Sequence, residues 1–417
     1  MGDPLNYRES VRSLEHMLFD LKGSNNCVLC DVSLPLPKAL TLVKFHAIIF
    51  TSTFLDIRYT PRIFDATLKK FDFLQSYRNI KIGLPQDDYD CSNSLDNLFT
   101  NWNFDLVYTV CPEHWDILYP KTYTRNILKL AFTGYIDEKW ISSWANPLPY
   151  ASRPVDICYR ASKLPANFGF LGHLKWKIAH NFVDSLPPCH NLNLDISVDP
   201  ASFIPGQQWH TFLESSRCTL VSASGSSIHD PFGSIRSKVK KYNYRHPNAD
   251  FKTIKSALFA DLDCKYIFTA LSPRNIEAAL ALTVQIATDG SYSNLLKPFI
   301  HFLPLRSDCS NIKDILLHIA NYERCLDVAN ACKNTLVNHK ELHKSYFAES
   351  IFDYIETSSI NFNLQHYCTM SSDILLSDCI SSYHDHLYKN WYIKRLYSKF
   401  RSSSLLSPFR LLKSYLP

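Results

Sequence analysis

The densest chemistry in the chain lies at Ser272-Pro273-Arg274-Asn275-Ile276-Glu277, where a hydroxyl, a guanidinium and a carboxylate fall close together. Ser272 suits an N-cap, and Pro273 fits a first helical turn, where its missing N–H costs nothing. A helix starting there presents free backbone N–H groups to an anion, with Arg274 beside them. Glu277, one turn further in, can accept hydrogen bonds from ligand hydroxyls. A nucleoside diphosphate sugar asks for both parts: donors and positive charge for its pyrophosphate, and an acid for its ribose. The same residues also suit an ordinary strand–helix–strand unit, with Arg274 in solvent and Glu277 paired to a lysine.

The flanking sequence supplies the elements that would hold this turn. Tyr266, Ile267 and Phe268 are apolar and β-prone, as in a buried parallel strand. Residues 276–282 read as helix, 284–287 as the next strand, and Asp289-Gly290 as a turn. The same rhythm runs through the chain. An amphipathic helix over 9–21 is followed by expected strands at 26–32, 47–50, 80–84, 106–109 and 128–132, with helices over 63–74 and from about 94. Residues 140–154 carry three prolines and no periodicity, and read as a linker. Beyond it come strands at 155–159, 192–197 and 218–222, helices over 174–182, 209–215 and 251–259, and a long helix from 312. Two βα series around a proline-bearing hinge predict an α/β protein of two Rossmann-like domains facing a central cleft.

Composition narrows the function. The chain has 417 residues, 46% hydrophobic and 20% charged, enough for two cores and too apolar for extended disorder. Its ten glycines include neither GxGxxG nor GxxxxGK[ST], which weighs against dehydrogenase and P-loop chemistry. No GxSxG elbow marks a hydrolase. Thirteen scattered cysteines suit reduced thiols in a cytosolic protein, and the lone Cys27-Val28-Leu29-Cys30 has no second pair to complete a zinc site. Neither a signal peptide nor an 18-residue apolar run is visible; 39–55 is interrupted by Lys44 and His46. Residues 386–417 hold seven Lys/Arg and no acid, interleaved with aromatics such as Trp391, Tyr397 and Phe400. Such a tail fits an anionic membrane surface or simple solvation, and no nucleic-acid motif accompanies it.

Several patches, in order from about residue 40 to 355, resemble bacterial family 1-type glycosyltransferases of the GT-B fold, related to spore-maturation protein B. They are Phe45 to Thr51 with Arg58-Tyr59, Ile82 to Tyr89, Thr133-Gly134-Tyr135, Asp156 to Ser162, Ser222 to Asp230, and Ser272 to Ala278. The resemblance implies a GT-B-like domain over 1–145 on the acceptor side, lacking its first strand, and a nucleotide-sugar domain over 146–355. A helical basic tail, 356–417, would follow. It implies a metal-independent glycosyltransferase that moves a sugar from a nucleoside diphosphate sugar to a cell-surface polysaccharide or glycolipid. The donor is a substrate, so no cofactor is expected, and neither a metal nor a nucleic-acid partner. The place of work would be the cytoplasm, peripheral at the inner face of the membrane through 386–417.

On that resemblance Arg160, Lys175 or Lys177, and Arg274 would neutralise the leaving diphosphate. Ser224, Gly225, Ser226 and Ser227 would form a polar loop for phosphate or sugar hydroxyls, with Ser272 at the turn and Glu277 on the ribose. Asp87 and Asp88 would be the acceptor-side base, ahead of Glu113 and His114. The chain departs from the pattern at Thr51, Ala161, Ala223, Asp88 and Thr269. Those departures suit an alternative: a catalytically degenerate relative that binds sugar or membrane as a scaffold.

Overall fold

The computed structural model describes residues 45–144, 147–204, 206 and 208–361, together with 27–35 and the single positions 18, 382, 385, 386 and 389. The expected helix over 9–21 and the basic run over 386–417 lie outside the described residues, apart from those single positions. Residues 47–353 form one compact unit. Residues 27–32 are not the expected strand. Asp31 accepts from the backbone and hydroxyl of Ser33 at 2.8 and 2.6 Å, a local turn that competes with extended pairing.

The unit contains two parallel sheets. In the first half β1 (Ala47–Phe50), β2 (Ile80–Gly83), β3 (Leu106–Thr109) and β4 (Leu128–Leu130) pair in that order. Every residue of β2 and β3 is buried, as expected where helices cover both faces. Gly83 is required there, since a Cβ would come within 2.9 Å of the Phe99 ring. The second half has β5 (Val155–Arg160), β6 (Leu194–Ser197), β7 (Ser216–Val221), β10 (Val284–Thr288) and β11 (Leu303–Leu305), in the parallel order β11-β10-β7-β5-β6. Ile157, Tyr159, Leu220 and Ile286 pack beneath Ile178 and Phe182 on one face and Ile315 and Val328 in the same core. These are two Rossmann-like halves, as the two βα series predict.

Two expectations need correction. The strand before Ser272 is not part of a parallel sheet: Phe268–Ala270 (β9) pairs antiparallel with Ser224–Ser226 (β8). Gly225, at φ 141°, lets the Phe268 carbonyl approach to where a Cβ would be 1.9 Å away. Strand period cannot distinguish these pairings. The long helix from 312 is two helices, Ile312–Ala320 and Tyr322–Val337, because Asn321 turns and caps the second through Arg324 N. Among the described residues of the linker, a helix over Glu138–Ser143 runs into its start, and Trp140, Trp144 and Tyr150 are buried. Arg153 fixes the linker's end by donating to the carbonyls of Ser216, Ala281 and Leu282.

The chain finally returns to the first half. Ile136 N donates to Leu342 O at 2.7 Å and Lys344 N to Ile136 O at 3.0 Å. The helix Lys344–Asn361 then stacks Phe347 on Tyr135, ring centroids 4.5 Å apart.

Candidate functional site

Strand order locates the site before any side chain is considered. From β5 the chain goes to β6 on one side and then crosses to β7 on the other, so the order reverses between β5 and β7. In open α/β sheets ligands bind beyond the carboxyl ends of the strands at such a reversal. Arg160 ends β5, Ser222-Ala223-Ser224 follow β7, and the helix Pro273–Leu280 begins beside them.

That helix is held tightly. Ser272 Oγ accepts from Arg274 N at 3.3 Å while Asn275 Oδ1 accepts from Ser272 N at 3.0 Å, a reciprocal cap. Asn275 is pinned in turn by Gln285 of β10 at 2.7 Å. The first half of the unit closes on the same turn. Thr133 Oγ1 donates to Leu271 O at 2.5 Å, and a Cβ on Gly134 would meet Pro273 at 2.9 Å.

Arg274 and Glu277 are 6% and 4% exposed, so neither is the solvated residue of an ordinary strand–helix–strand unit. Arg274 Nη2 donates to Arg160 O at 2.6 Å, and its guanidinium lies 5.1 Å from the Tyr159 ring and 5.4 Å from Trp209. Its Nε is buried with no hydrogen-bond partner, and among the described residues no carboxylate pairs with it. Glu277 accepts the Trp209 indole N–H at 2.8 Å. The two side chains therefore meet at one indole, at the strand ends. An unpaired buried cation beside a singly engaged carboxylate is costly unless a ligand completes it.

The other expected residues divide. The Arg160 side chain is consumed by Asp195 Oδ1 at 2.6 Å and by the carbonyls of Asp195 and Ser202; its backbone carbonyl is what reaches the site. Lys175 lies on the helix Gly169–Asp184, where its carbonyl accepts from Tyr159 Oη at 2.7 Å. Ser224 and Gly225 are half-buried in β8, and Ser226 Oγ is turned onto Ile228 at 2.9 Å. Ser227 caps the helix Gly169–Asp184 by accepting from Leu171 N at 3.2 Å, with Asp263 on Phe170 N at 3.0 Å. Ala223 packs under Gly290 in the turn that follows β10.

Across the junction stands a second cluster. Asp88 is fully buried and accepts from Thr109 at 2.5 Å, Tyr119 at 2.9 Å and Cys111 at 3.4 Å. Burial pushes its carboxyl up, against those donors. Asp87 is exposed, at φ 46°, and accepts from Tyr89 Oη at 2.6 Å. Arg58 organises the surroundings: it is 1% exposed and donates to Asp56 Oδ1 at 2.8 Å, Tyr59 Oη at 2.7 Å and the carbonyls of Gln86, Asp87 and Asp90. Arg236 comes from the other half, 4.2 Å over the Tyr59 ring, and pairs with Asp90.

Asp56 was missed by sequence reasoning. Burial pushes its carboxyl up to about 6, against the pull of Arg58 and with Asp87 adding to the rise. Its only sequence signal is an acid two residues before Arg58. Glu113 is exposed, and the His114 ring sits 5.7 Å from both Tyr266 and Phe268. Among the described residues no group of three His, Cys, Asp or Glu could hold a metal ion, and no helix is long and apolar enough to cross a membrane.

No family model and no curated protein matches the sequence. Among solved structures, the Anabaena protein HepE in complex with UDP-glucose aligns over 76% of this chain and 80% of its own, at 11% identity and TM-score 0.38. TarM aligns over 67% and 51%, at 9% identity and TM-score 0.40. The trehalose-6-phosphate synthase OtsA aligns over 70% and 69%, at 12% identity and TM-score 0.37. Likeness at these levels leaves the site's chemistry to be read from this chain's own residues.

Proposed function

We propose that the protein is a glycosyltransferase that moves a sugar from a nucleoside diphosphate sugar to a glycan or lipid-linked acceptor. One observation carries the reading: a buried, carboxylate-free Arg274 with an orphaned Nε, beside Glu277, at the β5/β7 reversal. Cleavage of the sugar–phosphate bond builds charge on the leaving diphosphate as the sugar becomes oxocarbenium-like. Arg274 and the N–H groups of the capped helix would take up that charge, which is why a metal-independent transfer is part of the proposal. Glu277, oriented by Trp209, would accept from the ribose hydroxyls. On the acceptor side Asp87 is the exposed carboxylate and Asp56 the one tuned toward neutral pH, so this pair would receive the acceptor proton. Asp88 would hold the loop rather than react.

A second reading, a scaffold that binds without turnover, is favoured by the Arg160 side chain and Asp88 being spent on structural bonds. In both readings residues 386–417 would hold the protein peripherally at the inner face of the membrane, in the cytoplasm.

A thermal-shift panel of UDP, GDP and their sugar conjugates tests both. A nucleotide at a hundred times its Kd should add about 2.7 kcal/mol of stability. No stabilisation by any nucleoside diphosphate would overturn the transferase reading and any scaffold reading that depends on a nucleotide. Stabilisation without hydrolysis or transfer of any nucleotide sugar would select the scaffold.

A further inference from the structure

Between β8 and β9 the chain leaves the sheet to form the helices Ser234–Arg245 and Phe251–Leu258. Ile235 and Val239 of the first pack on Ile254 and Phe259 around Ala166 and Ile228, which fixes the inner side of this small layer. The outer side has no such function in the fold. From Pro231 to Ala249 there are five Lys/Arg and no Asp or Glu. Arg236 is spent on Asp90, but Lys238, Lys240, Lys241 and Arg245 are all exposed, and among the described residues none has a carboxylate partner. Phe232, 58% exposed, and Tyr244, 90% exposed, bracket these four cations. Unpaired cations repel one another along a single helix, so an arrangement of this kind is stabilised by an external anionic surface.

We infer that the outer face of the helix Ser234–Arg245 docks on an anionic lipid surface, with the cations on the headgroups and Phe232 and Tyr244 in the interfacial layer. The flanking aromatics favour lipid over nucleic acid, because amphipathic rings settle at the boundary of headgroup and acyl chain. Position gives the contact a purpose. Arg236, in the first turn of the same helix, reaches Tyr59 and Asp90 in the other half of the unit, next to Asp56 and Asp87. Docking here would bring that junction to the lipid surface, where a lipid-linked acceptor resides. This helix is a different stretch of sequence from 386–417, and its binding does not depend on any nucleotide.

Flotation of the full-length protein with phosphatidylglycerol-containing vesicles tests the inference. Each cation at such a surface is worth about a fivefold change in partitioning. The triple variant Lys238→Glu/Lys241→Glu/Arg245→Glu should therefore bind at least about a hundredfold more weakly, with unchanged melting temperature and unchanged stabilisation by UDP. Wild-type binding should fall with added salt and be absent from neutral phosphatidylcholine vesicles. Phe232→Ala/Tyr244→Ala should weaken binding even at high salt, where the cations are screened. Vesicle binding by the triple variant equal to wild type would overturn the inference and leave the carboxy-terminal run as the anchor. Binding to single-stranded RNA lost in the triple variant, with no vesicle binding by wild type, would overturn it in favour of nucleic acid.

Discussion

Arg274 and Asp56 are the two residues whose environments ask most for an explanation. A charged hydrogen-bonded contact is worth about 1.5–3 kcal/mol, so Arg274→Ala should weaken nucleoside diphosphate binding about ten- to hundredfold in titration calorimetry. Arg274→Lys keeps the charge but loses the planar fork, and should recover only part of it. Equal affinity in all three proteins would place the diphosphate elsewhere. Asp56 makes a pH prediction. Its carboxyl is raised from 3.8 to about 6, so between those values the folded chain holds more protons than the unfolded one. Its contribution to stability is thus present at low pH and lost as pH rises through about 6. Thermal melts of Asp56→Asn should show a flatter dependence across that window, and any transferase activity should lose its acidic limb near the same pH.

At the scale of elements, the β8/β9 ribbon and the helix Pro273–Leu280 form one device: the ribbon delivers the chain to Leu271, and the cap starts the helix at Ser272. The two joints differ in tolerance. Gly225→Ala drives a methyl group into the Phe268 carbonyl at a φ that L-residues rarely adopt, and should cost about 2–4 kcal/mol in chemical denaturation. Ser272→Ala removes only one of the paired cap bonds and should cost about 1 kcal/mol. The reverse ranking would mean that the ribbon does not position the site.

For the whole unit, the halves are joined by backbone as well as side chains: Cys91 N donates to Asp230 O at 2.8 Å and Asn93 N to Pro231 O at 3.0 Å. The pair between Asp90, 5% exposed, and Arg236 sits on that seam. Removing one partner of a buried pair strands the other, at about 3–5 kcal/mol for full burial, and Arg236→Ala should fall at the low end because its side chain is 30% exposed. The double variant Asp90→Asn/Arg236→Met should melt above Arg236→Ala, since no buried charge is then left alone. A double variant no more stable than the single would show that the seam depends on the backbone bonds instead.

The sequence alone determined what local pattern can carry. Apolar runs marked β1, β2, β3, β5, β7 and β10, and Ser272-Pro273 marked the start of the helix that bears Arg274 and Glu277, because strand period and capping chemistry are encoded within a few residues. Pairing, burial and contacts distant in sequence were decided only by the tertiary structure. It turned the strand before Ser272 into an antiparallel partner of Ser224–Ser226, set Trp209 against Glu277 across 68 residues, and sealed Asp88 in a shell of three donors while raising Asp56. The helix Ser234–Arg245 escaped sequence reading because its inner side holds few apolar residues. A carboxylate's chemistry depends on which distant atoms surround it, and that information exists only once the chain has folded.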